Sequence, residues 1–304
     1  DVMEISKLKE IFKDFKSGIK FEHDLRKKNW FNIGGKSKIF YQANTLKDLI
    51  YFLKKLDNKE KIFILGAGSN TLISDNLFDG VVIKLSKNFS NISLHGEDII
   101  IAGSGVSDKK LSEFAYENNL SGFEFLSCIP GTVGGGIKMN AGCFGYEIQD
   151  ILLSIQAVDK TGNIINIQRK DINFKYRESD LPENLIFLSA SFKGKKERPE
   201  SIKDKMMAYK LEKEKTQPTR IKTSGSTFKN PLSQTQKKVW ELIKESVPLD
   251  QKFGDAYISE KHCNFFVNKG NASFKDMKRL IDFVSNNVFK KTGIKLEKEI
   301  KILE

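Results

Sequence analysis

The stretch that most limits the fold of this chain is IPGTVGGGIKMNAG, residues 129–142, with glycine at 131, 134, 135, 136 and 142. Glycine loses more backbone freedom on folding than any other residue, so such density weakens both helix and strand. The run is too glycine-rich for a good helix and too poor in apolar residues for a buried strand. Glycines placed this closely serve positive φ angles or let the backbone approach something at short range. Pro130 fixes the entry to the run and removes a donor. The bland alternative is a glycine-rich hairpin tip, against which the adjoining polar residues Thr132 and Asn140 weigh.

Around this run the pattern is mixed α and β. Ile5, Leu8, Ile11, Phe12 and Phe15 follow helical spacing, as does LKDLIYFLKKL. KIFIL (61–65), VVIKL (81–85) and DIIIAG (98–103) read as strands. SDKKLSEFAYENN (107–119) reads as a helix capped by Ser107. ILLSIQAVD and NIINIQ, joined by KTG, read as a hairpin, and LIFLSASF as a further strand. Helices are predicted from about Glu200 to Lys215, over 236–247, and over 273–293, the last starting at Ser273 and stopping at Gly293. KLEKEIKIL (295–303) reads as a final strand, with Leu296, Ile300 and Ile302 on one face and Glu297 and Glu299 on the other. The order lacks the regular βαβ alternation of a doubly wound sheet.

Composition removes several function classes. No run is apolar enough to span a bilayer, and DVMEISKLKEIFKDF is charged throughout, unlike a secretory signal. Cys128, Cys143 and Cys263 are too few and too scattered for a disulfide framework, and there is no CxxC pair, so no metal site is expected. A reducing cytoplasm is the simplest home. The net charge of +12 suits nucleic acid or anionic small molecules. The lysines are spread along the chain and no nucleic-acid-reading motif is present, which favours the small molecules.

Three further loops carry chemistry. LGAGSN (65–70) directly follows a strand, where tight glycine turns expose N–H groups that cradle an anion; a plain strand-ending turn is the alternative. KYRESD (175–180) presents Arg177, a residue type that is usually a solvated surface charge. TSGSTFKNP (223–231) gathers four hydroxyls around Gly225, as a cap or turn also would. His262, in SEKHCNFFVN, reads as scaffold rather than catalyst.

Taken together, FNIGG (31–35), LGAGSN, IPGTVGGGIKMNAG, YRES (176–179), GSTFKNP (225–231), SEKHCNFFVN (259–268) and LEKEI (296–300) resemble the UDP-N-acetylenolpyruvoylglucosamine reductase (MurB) family, in family order from about residue 28 onward. Only 49 positions separate Arg177 from Ser226 (226 − 177), like the shorter class of that family, which lacks a substrate-capping tyrosine loop. The resemblance implies an α+β chain with the FAD-binding fold of the vanillyl-alcohol oxidase (PCMH) type. The expected lobes are 1–87 and 88–198, with a substrate domain over 199–304 whose final strand returns to the active site. Non-covalent FAD would be held by Gly66, Ala67, Gly68, Ser69 and Asn70 at the pyrophosphate, and lined by Pro130, Gly131, Thr132, Gly134, Gly135 and Ala141. Glycine is expected at these places because a side chain would collide with the cofactor.

The implied reaction has two halves. NADPH delivers a hydride to the flavin, which passes it from N5 to C3 of an enolpyruvyl UDP-sugar; a proton then reaches C2, giving UDP-N-acetylmuramate for peptidoglycan. The resemblance assigns charge stabilisation to Arg177 and Glu299 and proton donation to Ser226, with Lys229 and Asn230 as substrate contacts. It implies a cytoplasmic monomer that takes NADPH and a UDP-sugar, without nucleic acid or membrane insertion. Lys138 has no assigned role. Two other readings compete: an oxidase of the same fold with tethered flavin, and a basic nucleotide- or RNA-binding protein without catalysis. His23, His95 and His262 lie outside the flavin loops, whereas Cys128 and Cys143 flank one of them.

Overall fold

A computed structural model describes residues 4–15, 18–56, 59–216 and 225–304 of the chain. Thr223 and Ser224 of the hydroxyl-rich loop lie outside the described residues. The chain divides into two compact units that are discontinuous in sequence: 1–23, 38–66 and 79–211 form the first, and 24–37, 67–78 and 212–304 the second.

The first unit is built on two sheets. One has four strands in the order Ile19–Asp24, Lys36–Ala43, Phe78–Leu85, Lys61–Ile64, the last two parallel. The helix Leu46–Lys55 lies on its core, with Thr45 capping through an N–H bond from Asp48 (3.1 Å) and Leu49, Phe52 and Leu53 buried. Tyr41 stacks on Phe52 with ring centres 4.0 Å apart. The predicted N-terminal helix is Ile5–Ile11 and puts Leu8 and Phe12 into the same core.

The second sheet has five strands in the order Ile164–Gln168, Leu152–Val158, Ile186–Lys193, Ile99–Gly103, Ile92–His95, all antiparallel. The predicted hairpin is its first pair. Asp159 closes the turn by accepting N–H bonds from Thr161 and Asn163, both at 2.9 Å. The helix Asp108–Glu117 packs beside this sheet, its Ser107 cap accepting from the Lys110 N–H at 3.0 Å.

The glycine-rich run departs from expectation, because Val133–Lys138 is a short helix. Thr132 caps it weakly, accepting from the Gly135 N–H at 3.5 Å. Packing offsets the poor intrinsic propensity. The N–H groups of Val133 and Gly134 are taken by the carbonyls of Val106 and Ser104 (2.9 and 3.0 Å), and Val133 and Ile137 are fully buried. The helix lies close to its neighbours, most tightly at Gly134. A Cβ at Gly134 would sit 3.1 Å from that of Ser104, and one at Gly136 would meet Asp108 at 3.5 Å.

The second unit centres on the helix Phe274–Thr292, bounded as its sequence predicts. Ser273 accepts from the Asp276 N–H (3.0 Å), Asp276 returns the bond to the Ser273 N–H (3.1 Å), and Gly293 at φ 74° ends it. Met277, Leu280, Ile281, Val284 and Val288 form its buried stripe. It packs on Val239–Ser246 and on a three-stranded antiparallel sheet of Lys252–Phe253, Ala256–Ile258 and Phe266–Asn268. The final strand is only Lys301–Leu303, parallel to Thr71–Ile73; residues 295–300 lie outside it, with a single bridge from Lys298 to Phe228. The predicted apolar face nevertheless turns inward: Ile300 is buried, and Leu296 and Ile302 pack on the same core.

One ion pair stands inside the first unit. Lys38 Nζ lies 2.9 and 2.8 Å from the two oxygens of Glu60, and 3.2 Å from Asp79, which is largely exposed. Lys38 and Glu60 are almost fully buried, so removing one partner strands a charge in a poor solvent. Glu60→Ala should cost about 3 kcal/mol, read as a lower urea midpoint, and the double change Lys38→Met, Glu60→Leu should recover most of the loss.

Candidate active site

In the first unit, Arg177 sits at the tip of the hairpin Phe174–Lys175/Glu178–Ser179, at φ 51°. A left-handed conformation is uncommon for arginine and marks a position that its surroundings impose. The guanidinium is held by the chain that leaves the glycine run. Nη2 donates to the Gly142 carbonyl at 2.8 Å, and Nη1 to the Asn140 carbonyl at 3.4 Å and to Glu147 Oε2 at 3.5 Å. Its Cζ lies 4.7 Å from the centre of the Tyr176 ring. Asn140 ties the hairpin down: fully buried at φ 46°, it donates to the Lys175 carbonyl (2.9 Å) and accepts from the Gln149 N–H (3.1 Å). Lys138 now has a role, pairing with Glu183 at 2.7 Å while its carbonyl accepts from the Ser179 hydroxyl at 2.7 Å.

The open side of the glycine helix faces the end of the strand Lys61–Ile64. A Cβ on Gly66 would lie 3.1 Å from Thr132 Oγ1, and one on Gly135 3.7 Å from the same oxygen. Beyond their chain neighbours and the helix's own backbone, no other atom of the described residues lies within 4 Å of either position. The Gly66 carbonyl accepts from Lys84 Nζ at 2.7 Å. Ala141, by contrast, is buried in the core of its unit.

In the second unit, Gly68 has φ 73°, and a Cβ there would run into the Lys28 carbonyl. Its glycine is required by the protein's own backbone. The Asn70 carbonyl accepts from the Lys301 N–H at 2.7 Å, which ties LGAGSN to the final strand.

Ser226 and Glu299 come together here. The segment 226–229 runs between Asn264–Phe265 on one side and Glu297–Glu299 on the other. Ser226 bridges Phe265, the Glu299 N–H donates to the Thr227 carbonyl at 2.8 Å, and the Lys229 N–H donates to that of Glu297 at 2.8 Å. Lys229 Nζ is 3.7 Å from Glu297 Oε1, and Glu297 is largely exposed. Asn230 serves the fold as well, since its Oδ1 accepts from the Val239 N–H (2.9 Å) at the start of the helix Val239–Ser246. His262 is half-buried, and burial lowers its pKa. The neutral ring accepts at Nδ1 from the Asn264 N–H at 3.2 Å, so its proton is carried on Nε2.

Comparisons with known proteins bear on this arrangement. Residues 37–168 match the FAD binding domain family, and residues 217–303 match the C-terminal domain of UDP-N-acetylenolpyruvoylglucosamine reductase. The chain is 63% identical over 302 residues to the UDP-N-acetylenolpyruvoylglucosamine reductase of Pelagibacter ubique, covering 99% of this chain and all of that one. It belongs to the UDP-N-acetylenolpyruvoylglucosamine reductase family. The reductase of Rickettsia massiliae is 44% identical, over 94% of this chain and 96% of its own. A crystal structure of the Thermus caldophilus enzyme superposes with a TM-score of 0.81 at 30% identity, over 94% of this chain and 100% of that one. The α+β architecture with an FAD-binding domain of the expected type follows, and the chain is a flavin-dependent oxidoreductase of peptidoglycan synthesis. No helix among the described residues is long and apolar enough to cross a membrane.

The first unit of this reductase-family chain fits a flavin nucleotide. Gly66, Thr132 and Gly135 offer main-chain and hydroxyl groups with nothing beyond Cα at either glycine, so a planar or diphosphate group can approach closely. At Gly134 a Cβ would lie 3.1 Å from that of Ser104, so the protein's own packing also favours a small residue there.

Asp108 was not legible in the sequence as anything but a first-turn helix residue. It is buried against Gly136, and no described residue hydrogen-bonds its carboxyl oxygens. Burial pushes this carboxyl up to about 8. The folded protein therefore holds the proton more tightly than the unfolded chain, so stability falls as pH rises from about 4 to about 8, by roughly 1.4 kcal/mol per unit. Asp108→Asn should flatten that decline, read as a smaller drop in Tm between pH 6 and pH 8.5 than in the parent.

Proposed function

We propose that this chain reduces the enolpyruvyl group of a UDP-N-acetylglucosamine enolpyruvyl ether to UDP-N-acetylmuramate, with NADPH as co-substrate. The observation that carries this reading is the likeness along its whole length to the Pelagibacter reductase. The Glu299 N–H donates to the carbonyl of Thr227, the residue after Ser226, and that neighbourhood supports the roles given to them.

FAD, when bound, would supply hydride transfer between NADPH and the substrate. Gly66, Ala67, Gly68, Ser69 and Asn70 would bind its pyrophosphate, and Pro130, Gly131, Thr132, Gly134, Gly135 and Ala141 would line it. Arg177 stabilises the negative charge that develops beside the substrate carboxylate, using a cation that never deprotonates. Its hydrogen bonds to two carbonyls and a carboxylate keep its direction fixed. Glu299 shares that charge stabilisation with Arg177, and Ser226 delivers the proton to C2. Lys229 contributes positive charge toward the anionic substrate, and Asn230 a polar contact. The lobes 1–87 and 88–198 serve the cofactor and 199–304 the substrate. The reading carries with it a cytoplasmic monomer of the class without a tyrosine loop.

The test is anaerobic. NADPH should bleach the flavin, and the enolpyruvyl UDP-sugar should restore its colour. Ser226→Ala should keep bleaching within about twofold while slowing recolouring by about 100-fold or more; normal turnover would remove the donor role. Glu299→Gln should slow recolouring more than bleaching. Arg177→Lys should lose about 100-fold in recolouring, since a point charge lacks the planar fork. Acid precipitation should release all the flavin, and retained colour in the pellet would favour a tethered-flavin oxidase instead.

A further inference from the structure

The segment that carries Ser226 belongs to no extended strand, yet its main chain is saturated. Five successive main-chain groups run from the Thr227 N–H to the Lys229 N–H. Two bond to the C-terminal segment: the Thr227 carbonyl accepts from the Glu299 N–H, and the Lys229 N–H donates to the Glu297 carbonyl. The other three all bond to Asn264. The Thr227 N–H donates to its carbonyl (2.8 Å), the Phe228 N–H to its Oδ1 (3.1 Å), and its Nδ2 donates to the Phe228 carbonyl (2.9 Å). Asn264 is 3% exposed, so water does not substitute for these bonds.

Ordinary strand pairing is unavailable there. The chain turns at His262–Phe265, where the Phe265 N–H donates to the His262 carbonyl at 3.0 Å, and that turn carries the backbone before Asn264 away from Phe228. The side-chain amide replaces the missing peptide, since it alone among small side chains offers one donor and one acceptor in peptide-like geometry. Asn264 is itself fixed, with its N–H on His262 Nδ1.

We propose that Asn264 is a positioning residue for the proton-delivering hydroxyl of Ser226: its amide locks the main chain at Phe228, two residues on, and through Thr227 the register with Glu299. This rests on the reading of Ser226 as the proton donor. Asn264 does not touch the substrate; it sets the direction from which the hydroxyl acts. Asn264→Asp keeps the shape and the acceptor but replaces the donor to the Phe228 carbonyl with a second oxygen. Asn264→Ser removes both contacts in a smaller side chain.

The experiment uses the FAD-loaded full chain and reads the two half-reactions separately. In whichever of the two variants retains flavin, bleaching by NADPH should stay within about twofold of the parent. Recolouring by the enolpyruvyl UDP-sugar should slow by about tenfold or more, with a larger solvent deuterium effect as proton delivery becomes limiting. Amide exchange should accelerate in the peptide containing Phe228 and stay unchanged in the helix Phe274–Thr292. Equal slowing of both half-reactions, or no slowing of either, would overturn the proposal, as would loss of flavin from both variants, which would mark a purely structural role. Ser226→Ala separates the two claims. If it turns over normally, the reading of Ser226 fails. If it is slow while the Asn264 variants are not, only the positioning role fails. Adding Asn264→Asp to Ser226→Ala should slow recolouring no further, and an additive loss would count against the link.

Discussion

Every buried main-chain N–H and C=O in this protein must find a partner, and at several irregular segments regular ladders do not supply one. Buried asparagines do. Asn264 pairs with Phe228 beside Ser226. Asn140 joins the turn before Gln149 to the hairpin that bears Arg177. Asn268 donates to the Phe31 carbonyl and accepts from Gly270 and Ala272. Asn29 donates to the carbonyls of Leu25, Arg26 and Ile33 around the turn before FNIGG. An amide presents donor and acceptor together, so it extends a peptide network into places where the chain has to bend. Irregular backbone thus becomes as fixed as a strand while its side chains remain available for chemistry.

The glycines divide along the same line. At Gly68 a Cβ would run into the Lys28 carbonyl, whereas at Gly66 and Gly135 the one neighbour within 4 Å among the described residues is the Thr132 hydroxyl. Crowding also explains why a six-residue helix persists in a glycine-rich run: neighbouring carbonyls take its first N–H groups, and Val133 and Ile137 anchor it in the core. The buried carboxyl of Asp108 lies against that same helix, and its burial raises its pKa.

Local signals were legible wherever they rest on neighbours in sequence. Ser273 and Gly293 bound the long helix because capping and left-handed termination act within one turn. The hairpin after the glycine run and the inward face of Leu296, Ile300 and Ile302 follow from alternation. The motifs that carry the family resemblance named Arg177, Ser226 and Glu299 without any geometry. What misled was propensity: counting glycines argued against the helix Val133–Lys138, because tertiary hydrogen bonds do not appear in a count. Alternation likewise overextended the last strand, which pairs only where Thr71–Ile73 is available.

The sequence by itself determined the two periodicities, the helix limits, the excess of positive charge and the order of motifs, since each is a property of residues close along the chain. Only the tertiary structure decided that Asn264 completes the backbone of Phe228, that Asn230 caps a helix, that Lys38 faces Glu60 inside a core, and that Asp108 lies unpaired beneath Gly136. Those outcomes depend on which distant groups share a desolvated space, where an unmet hydrogen bond or charge is costly, and no local pattern records that company.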